Sequence, residues 1–269
     1  MAEIMNRIPQ KIILVMISLV LSACATSDAI VQTLTNPSPD RILFVGNSYL
    51  YYNDSLHNHV GRMADETFPE RVDIFVYKSA TIGGSRLAHH ALDHLLKPDN
   101  IGVGEPFEVV ILQGGSKEPL SKSSRKVFYR QVAEMTQKIR AAGAEVALYM
   151  THAYLPPHED YYPDILTDIK DTYLKAGRDN NVLVLPVGLA FANAYKERPS
   201  IKLHKVFDST HPDLLGTYLA SCVVFAALYQ TSPVGLDYNY FGAISDEDKQ
   251  FLQRIAAETV TDFYGHDFP

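Results

Sequence analysis

Short apolar runs rich in β-branched residues recur along this chain, at 42–45, 72–77, 109–112, 146–150 and 182–186, and each reads as a strand. Around them apolar residues return at helical spacing, predicting helices near 54–67, 85–97, 122–142, 164–178, 213–229 and 245–263. Ser245 followed by Glu247 and Asp248 suits the start of the last helix, because a hydroxyl caps free N–H groups and acidic residues favour the first turn. Five strand–helix units in succession imply a parallel sheet with helices on both faces, a three-layer α/β/α sandwich with five strands. In such a sheet ligands bind beyond the carboxyl ends of the strands. Function is therefore expected in the loops at 46–52, 79–86, 113–119 and 151–157, and in the later loop that carries Asp208 and His211.

The amino terminus does not fit this pattern. Arg7 and Lys11 precede an apolar run at 12–21, and the small residues Ser22 and Ala23 stand just before Cys24, as in a secretory signal. The run is too short to span a bilayer. Leu21-Ser22-Ala23-Cys24 resembles the bacterial lipobox, which implies cleavage after residue 23 and a diacylglycerol on Cys24. An ordinary cleaved signal with a spare cysteine and an uncleaved anchor are the alternatives. Ala25, where inner-membrane retention would require Asp, implies an outer-membrane anchor facing the periplasm. The expected organisation is a signal peptide at 1–23, a lipidated cysteine and polar tether at 24–40, and one domain at 41–269.

Charge narrows the partners. The whole chain has a net charge of −7, and without residues 1–23 it keeps 22 basic against 30 acidic residues, which argues against nucleic acid and other polyanions. Cys24 and Cys222 are the two cysteines, so lipidation of the first excludes an intramolecular disulfide. Cys222 lies in an apolar stretch and reads as a buried helix residue.

Candidate chemistry gathers in Asp208-Ser209-Thr210-His211-Pro212 and in Gly46-Asn47-Ser48. A serine hydroxyl is a poor nucleophile until a base takes its proton, and the base needs a carboxylate to fix its tautomer and steady the imidazolium. Asp208 and His211 place base and orienter on one turn, and Ser48 falls at the turn from the first strand into a helix, whose N–H groups suit an oxyanion. Taken singly, Ser48 also reads as a helix cap and His211 as a solvated loop histidine.

Gly46-Asn47-Ser48, Gly83-Gly84, Gln113-Gly114-Gly115-Ser116 and Asp208-x-x-His211, in order over about 41–230, resemble the SGNH/GDSL hydrolases. The resemblance implies a five-stranded parallel sheet in flavodoxin-like order, Ser48 as nucleophile, His211 as base and Asp208 as its orienter. It also implies an oxyanion hole of Ser48 N–H, the N–H of Gly84 or Gly83, and a side-chain amide after the third strand. Two residues depart from the family pattern: Asn47 stands for an Asp, and no Asn follows the third strand, where Gln113 is the substitute. Gln113 reads equally as a residue satisfying loop backbone. Its surroundings resemble the Gln-Gly-Glu-Ser stretch of carbohydrate acetylesterases, with Gly115 in place of Glu. The implied activity is a cofactor-independent serine ester hydrolase releasing acetyl or short acyl groups from an envelope or extracellular carbohydrate. A lipase, thioesterase or lysophospholipase acting on longer chains is one alternative, and a non-catalytic glycan-binding lipoprotein is the other.

Other signals point less sharply. His90 and His94 share a helical face, but no Glu follows His90 as a zinc hydrolase motif requires, and no metal is expected. Thr151-His152 reads either as pocket lining or as a loop histidine with a backbone partner. Tyr49, Tyr51, Tyr52, Tyr154, Tyr161 and Tyr162 offer faces for a sugar ring or acyl chain, or serve as rim and core packing.

Overall fold

The computed structural model describes residues 30–269. Its five strands, β1 (Arg41–Gly46), β2 (Val76–Thr81), β3 (Val109–Leu112), β4 (Glu145–Tyr149) and β5 (Leu183–Leu185), are all parallel, in the order β2-β1-β3-β4-β5. Side chains alternate across the pleat. Ile42, Phe44, Val109 and Ile111 enter one apolar cluster, whereas Leu43, Val45, Val110 and Leu112 enter the other. Burial on both faces explains why the central strands are apolar without a break.

Helices α2 (Leu56–Thr67), α6 (Val187–Glu197), α7 (Leu214–Tyr229) and α8 (Asp246–Tyr264) supply the first cluster. The second takes α4 (Lys122–Ala141) and α5 (Ile165–Asn180). α7 is buried all round from Gly216 to Tyr229, as its lack of a polar face requires, because α2, α6 and α8 surround it. Cys222 lies within it, fully buried. The strand order reverses between β1 and β3, so the loops leaving these two strands part and open a crevice at the sheet's carboxyl edge.

The fold matches the expected class, and the differences have local causes. The second strand lies at Val76–Thr81 rather than 72–77. Its register is set by pairing Arg41 with Val76, while Val72 and Ile74 are exposed in the preceding turn. As an edge strand it is only half-buried and tolerates Lys78, Ser79 and Thr81, which hid it from a search for apolar runs. The helix expected at 85–97 is reduced to a 3-10 turn at Leu87–His89 and the single-turn α3 (Leu92–Leu95), because His90 is extended between them. α6 was missed, since its apolar residues continue directly from β5 through Pro186. The one-turn α1 (Ser48–Tyr51) was likewise not separated from the helix that follows.

The described part of the expected tether is packed on the domain. Val31 bridges Leu183, Leu34 is buried, and the Glu145 carboxylate accepts N–H groups of Thr35 and Asn36 at 2.9 and 3.0 Å. The expected signal peptide at 1–23, Cys24 and residues 25–29 of the expected tether lie outside the described residues.

Candidate active site

Asn47 closes β1 and caps α1, its side-chain oxygen accepting the Tyr49 N–H at 3.1 Å. Its amide donates to the Ser85 carbonyl at 3.1 Å and the Gly114 carbonyl at 3.3 Å. One buried side chain thus joins the loops after β1, β2 and β3. An Asp here could still accept from Tyr49, but it would face two carbonyl oxygens with nothing to donate. The departure at residue 47 is therefore matched to its neighbours.

Ser48 begins α1, where backbone N–H groups lack partners in the helix. Its Oγ lies 2.8 Å from His211 Nε2, and His211 Nδ1 lies 2.5 Å from Asp208 Oδ2. The other Asp208 oxygen accepts the N–H groups of Thr210 and His211, both at 3.0 Å. Burial pushes the Asp208 carboxyl up, but these N–H groups and the His211 ring outweigh it and hold the group below its usual range. An ionised Asp208 therefore faces Nδ1, so that Nδ1 carries the proton and Nε2 is free to accept one from Ser48.

The turn bearing Asp208 and His211 is fixed by long-range partners. Ser209 adopts left-handed backbone, φ 57°, and its carbonyl accepts the Leu155 N–H at 3.0 Å. The Thr210 carbonyl lies 2.7 Å from His152 Nε2, and the Thr210 hydroxyl pairs with that of Tyr49. His152 is sandwiched between Tyr49 and Phe191, with ring centroids 4.4 and 4.3 Å away. Burial, reinforced by nearby His204, pushes the His152 pKa well down. It is thus a neutral donor to Thr210, the loop-histidine reading of the sequence. Tyr49 also meets the His211 ring edge-on at 5.6 Å, and Tyr52 lies 4.7 Å away.

Ser48 and His211 open onto a cavity of about 370 Å³, whose wall includes Gly84, Arg86, Ser116 and Tyr154. Gly84, at φ +66°, has open space where a side chain would stand. Gly83 is not part of the wall, so of the two glycines it is Gly84 that borders the cavity together with Ser48.

Gln113 does not hold the place expected of it. It is buried outside the cavity wall, with Oε1 accepting the Asn47 N–H at 2.9 Å and Nε2 donating to the Gly114 carbonyl. Oε1 is used on the Asn47 N–H and one N–H of the amide on the Gly114 carbonyl, so the side chain braces the loop and does not line the cavity. The adjacent Gly115 N–H is used too, donating to Glu118 Oε2 at 2.6 Å.

Ser116 belongs to a quoted motif, and Arg86 and Glu118 fall in the loops expected to carry function, but no role was assigned to these three or to His158. Their roles depend on loops that meet only in the folded chain. His90 and His94 do not converge, with His90 Nε2 at 3.1 Å from Ser85 Oγ and His94 Nδ1 at 3.1 Å from the Asn100 amide. Among the described residues there is no cluster of three or more metal-ligating side chains.

No protein-family model and no curated protein matches this chain. Solved structures do. A DUF4886 family protein from Bacteroides uniformis aligns at a TM-score of 0.62 with 18% identity, over 85% of this chain and 96% of its own. A protein from Slackia heliotrinireducens, whose name places it among the SGNH hydrolases, aligns at 0.55 with 23% identity, over 70% and 98%. The acetyl xylan esterase AlAXEase aligns at 0.53 with 20% identity, again over 70% and 98%. The five-stranded parallel sheet between helical layers is thus the SGNH/GDSL hydrolase fold.

Two expectations follow from this geometry. Gln113→Ala leaves the buried Asn47 N–H without its partner, which costs about 1–3 kcal/mol, while the Gly114 carbonyl keeps the Asn47 amide. Urea unfolding should show that loss, and unchanged stability would contradict the bracing role. His204 is buried, with Nδ1 accepting from the Tyr195 hydroxyl at 2.8 Å and Nε2 donating to the Ala153 carbonyl at 3.0 Å. Burial pushes its pKa down to about 4. The unfolded chain takes up this proton below about pH 6.5 and the folded chain does not, so stability falls as pH drops from about 6.5 to 4. The loss is on the order of 3 kcal/mol. Unfolding midpoints across that range should slope in the wild type and less steeply in His204→Gln, the remaining slope coming from other buried histidines such as His152.

Proposed function

We propose that this protein is a serine ester hydrolase. The observation that carries the proposal is the chain of contacts from Ser48 Oγ to His211 Nε2, at 2.8 Å, and from His211 Nδ1 to Asp208, at 2.5 Å. His211 takes the Ser48 proton as the oxygen attacks the ester carbonyl, and Asp208 stabilises the imidazolium. The proton then passes to the leaving alcohol, and water releases the acyl group by the same route in reverse. Ser48 N–H and Gly84 N–H receive the oxyanion. A missing donor in such a hole costs roughly a hundredfold to a thousandfold in turnover, so a site with Gln113 withdrawn is expected to be slow rather than inert.

The substrate we infer is a carbohydrate bearing acetyl or another short acyl group. The cavity is small and polar side chains predominate in its wall, and the half-buried His158 ring, backed at 4.1 Å by the buried Tyr154, offers a flat face to a sugar ring. The fold neighbours include an acetyl xylan esterase. A reading with longer acyl chains has one observation in its favour, the exposed Val206 and Phe207 just before Asp208. We further propose, from residues 1–25, that the chain is held by a lipid on Cys24 in the bacterial envelope, at the outer membrane facing the periplasm.

The full-length chain in detergent should be labelled on Ser48 by a fluorophosphonate, and Ser48→Ala should lose both the label and at least a hundredfold of p-nitrophenyl acetate turnover. An unlabelled wild type, or equal turnover by the variant, would sink the hydrolase reading. In the same assay kcat/KM should fall from acetyl to octanoyl esters, whereas a rise would favour the longer-chain reading. Mass spectrometry of the membrane-extracted protein should find residue 24 as a diacylglyceryl N-terminus, and a free Cys24 would refute the anchor.

A further inference from the structure

Arg86 stands in the cavity wall two residues beyond Gly84, and no carboxylate or aromatic face among the described residues engages its guanidinium. Its hydrogen bonds among the described residues are all made by its backbone, the N–H donating to His89 Nδ1 at 3.2 Å and the carbonyl accepting the His89 N–H at 3.0 Å. The other lysine or arginine in the wall is different. Lys117 is held outward by Asp160 at 2.5 Å and Glu159 at 3.7 Å. In an acidic protein, the cavity therefore keeps one cation whose donors are free.

Gly115 gives the Arg86 stem its path. A Cβ on residue 115 would meet Arg86 Cγ at 3.2 Å and Glu118 Cγ at 3.4 Å, tighter than ordinary contact. The backbone there is not left-handed, so the glycine is needed for room rather than for conformation. Glu118 is the one acidic residue of the wall, and it is 1% exposed. One of its oxygens is taken by the Gly115 N–H and the other has no partner among the described residues. Burial pushes its carboxyl up more strongly than Arg86 draws it down. Neither of its oxygens makes an ion pair with the exposed Arg86 guanidinium.

We propose that Arg86 is a specificity-determining residue that selects esters whose sugar also carries a carboxylate, an O-acylated uronic acid. The guanidinium fork takes both carboxylate oxygens, a planar match that a lysine does not reproduce, while the half-buried His158 in the same wall, backed by Tyr154, faces the ring. This rests on the serine-hydrolase reading of the same site.

The test compares acetylated methyl glucuronide with acetylated methyl glucoside, which differ in whether a carboxylate is present at C6. The full-length wild type should prefer the glucuronide, and Arg86→Gln should lower the ratio of kcat/KM values by about tenfold or more, chiefly through KM. Arg86→Lys should recover only part of it. An equal ratio in wild type and Arg86→Gln overturns the proposal. Calorimetry of D-glucuronate, D-glucose and D-glucose 6-phosphate with the Ser48→Ala protein reads the same contact without turnover. Glucuronate should bind best, and a preference for the 6-phosphate, or none between glucuronate and glucose, overturns the carboxylate assignment. Failure of the hydrolase reading shows separately, as absence of the fluorophosphonate label on the wild type.

Discussion

The Asn47 side chain is the knot on which the carboxyl edge of the sheet depends. It accepts from Tyr49 and donates to Ser85 and Gly114, so three loops leaving three strands share one amide. Buried polar backbone must find partners, and at the β1/β3 crevice the two loops have parted and cannot satisfy each other directly. Asn47 spans that gap from one side and Gln113 from the other, through the Asn47 N–H. The consequence reaches the chemistry. With these two amides occupied, Ser48 and Gly84 are held at fixed places on the cavity wall.

The opposite wall is held by different means. Thr210 is gripped through its carbonyl by His152 and through its hydroxyl by Tyr49, and the same residue donates its N–H to Asp208. The stack of Tyr49 and Phe191 fixes the His152 ring in place for this bond, and burial keeps the ring neutral. Core packing thus fixes the orientation of a turn whose own backbone, with Ser209 in the left-handed region, is not intrinsically favourable. The local spacing of Asp208 and His211 supplies half of the geometry, and the aromatic stack supplies the rest.

Around this frame the cavity is unevenly charged. Lys117 is neutralised by acidic neighbours on its own rim, whereas Arg86 lies over a glycine and a buried Glu118 and stays unmatched. The glycine at 115, a departure when only motifs are compared, has a physical role once the Arg86 stem is seen beside it. Asn47, the other departure, is likewise resolved by its partners. Neither change weakens the contacts among Ser48, His211 and Asp208.

Residue patterning by itself determined the layered fold, the placing of β1 and β3 and the sheet edge where function was expected, while the joining of residues 48, 208 and 211 was implied by the resemblance to the SGNH/GDSL hydrolases. The patterned features follow from short-range periodicity and from the rule that parallel strands carry their sites at the carboxyl end. β2 was displaced because an edge strand needs fewer apolar residues, and α6 was hidden because its apolar face runs on from β5. Only the tertiary structure decided where the Gln113 amide points, which glycine borders the cavity with Ser48, and that Arg86 belongs to the site. Each depends on partners from loops far apart in the chain, and a side chain's free donors are known only when everything that could occupy them is in place.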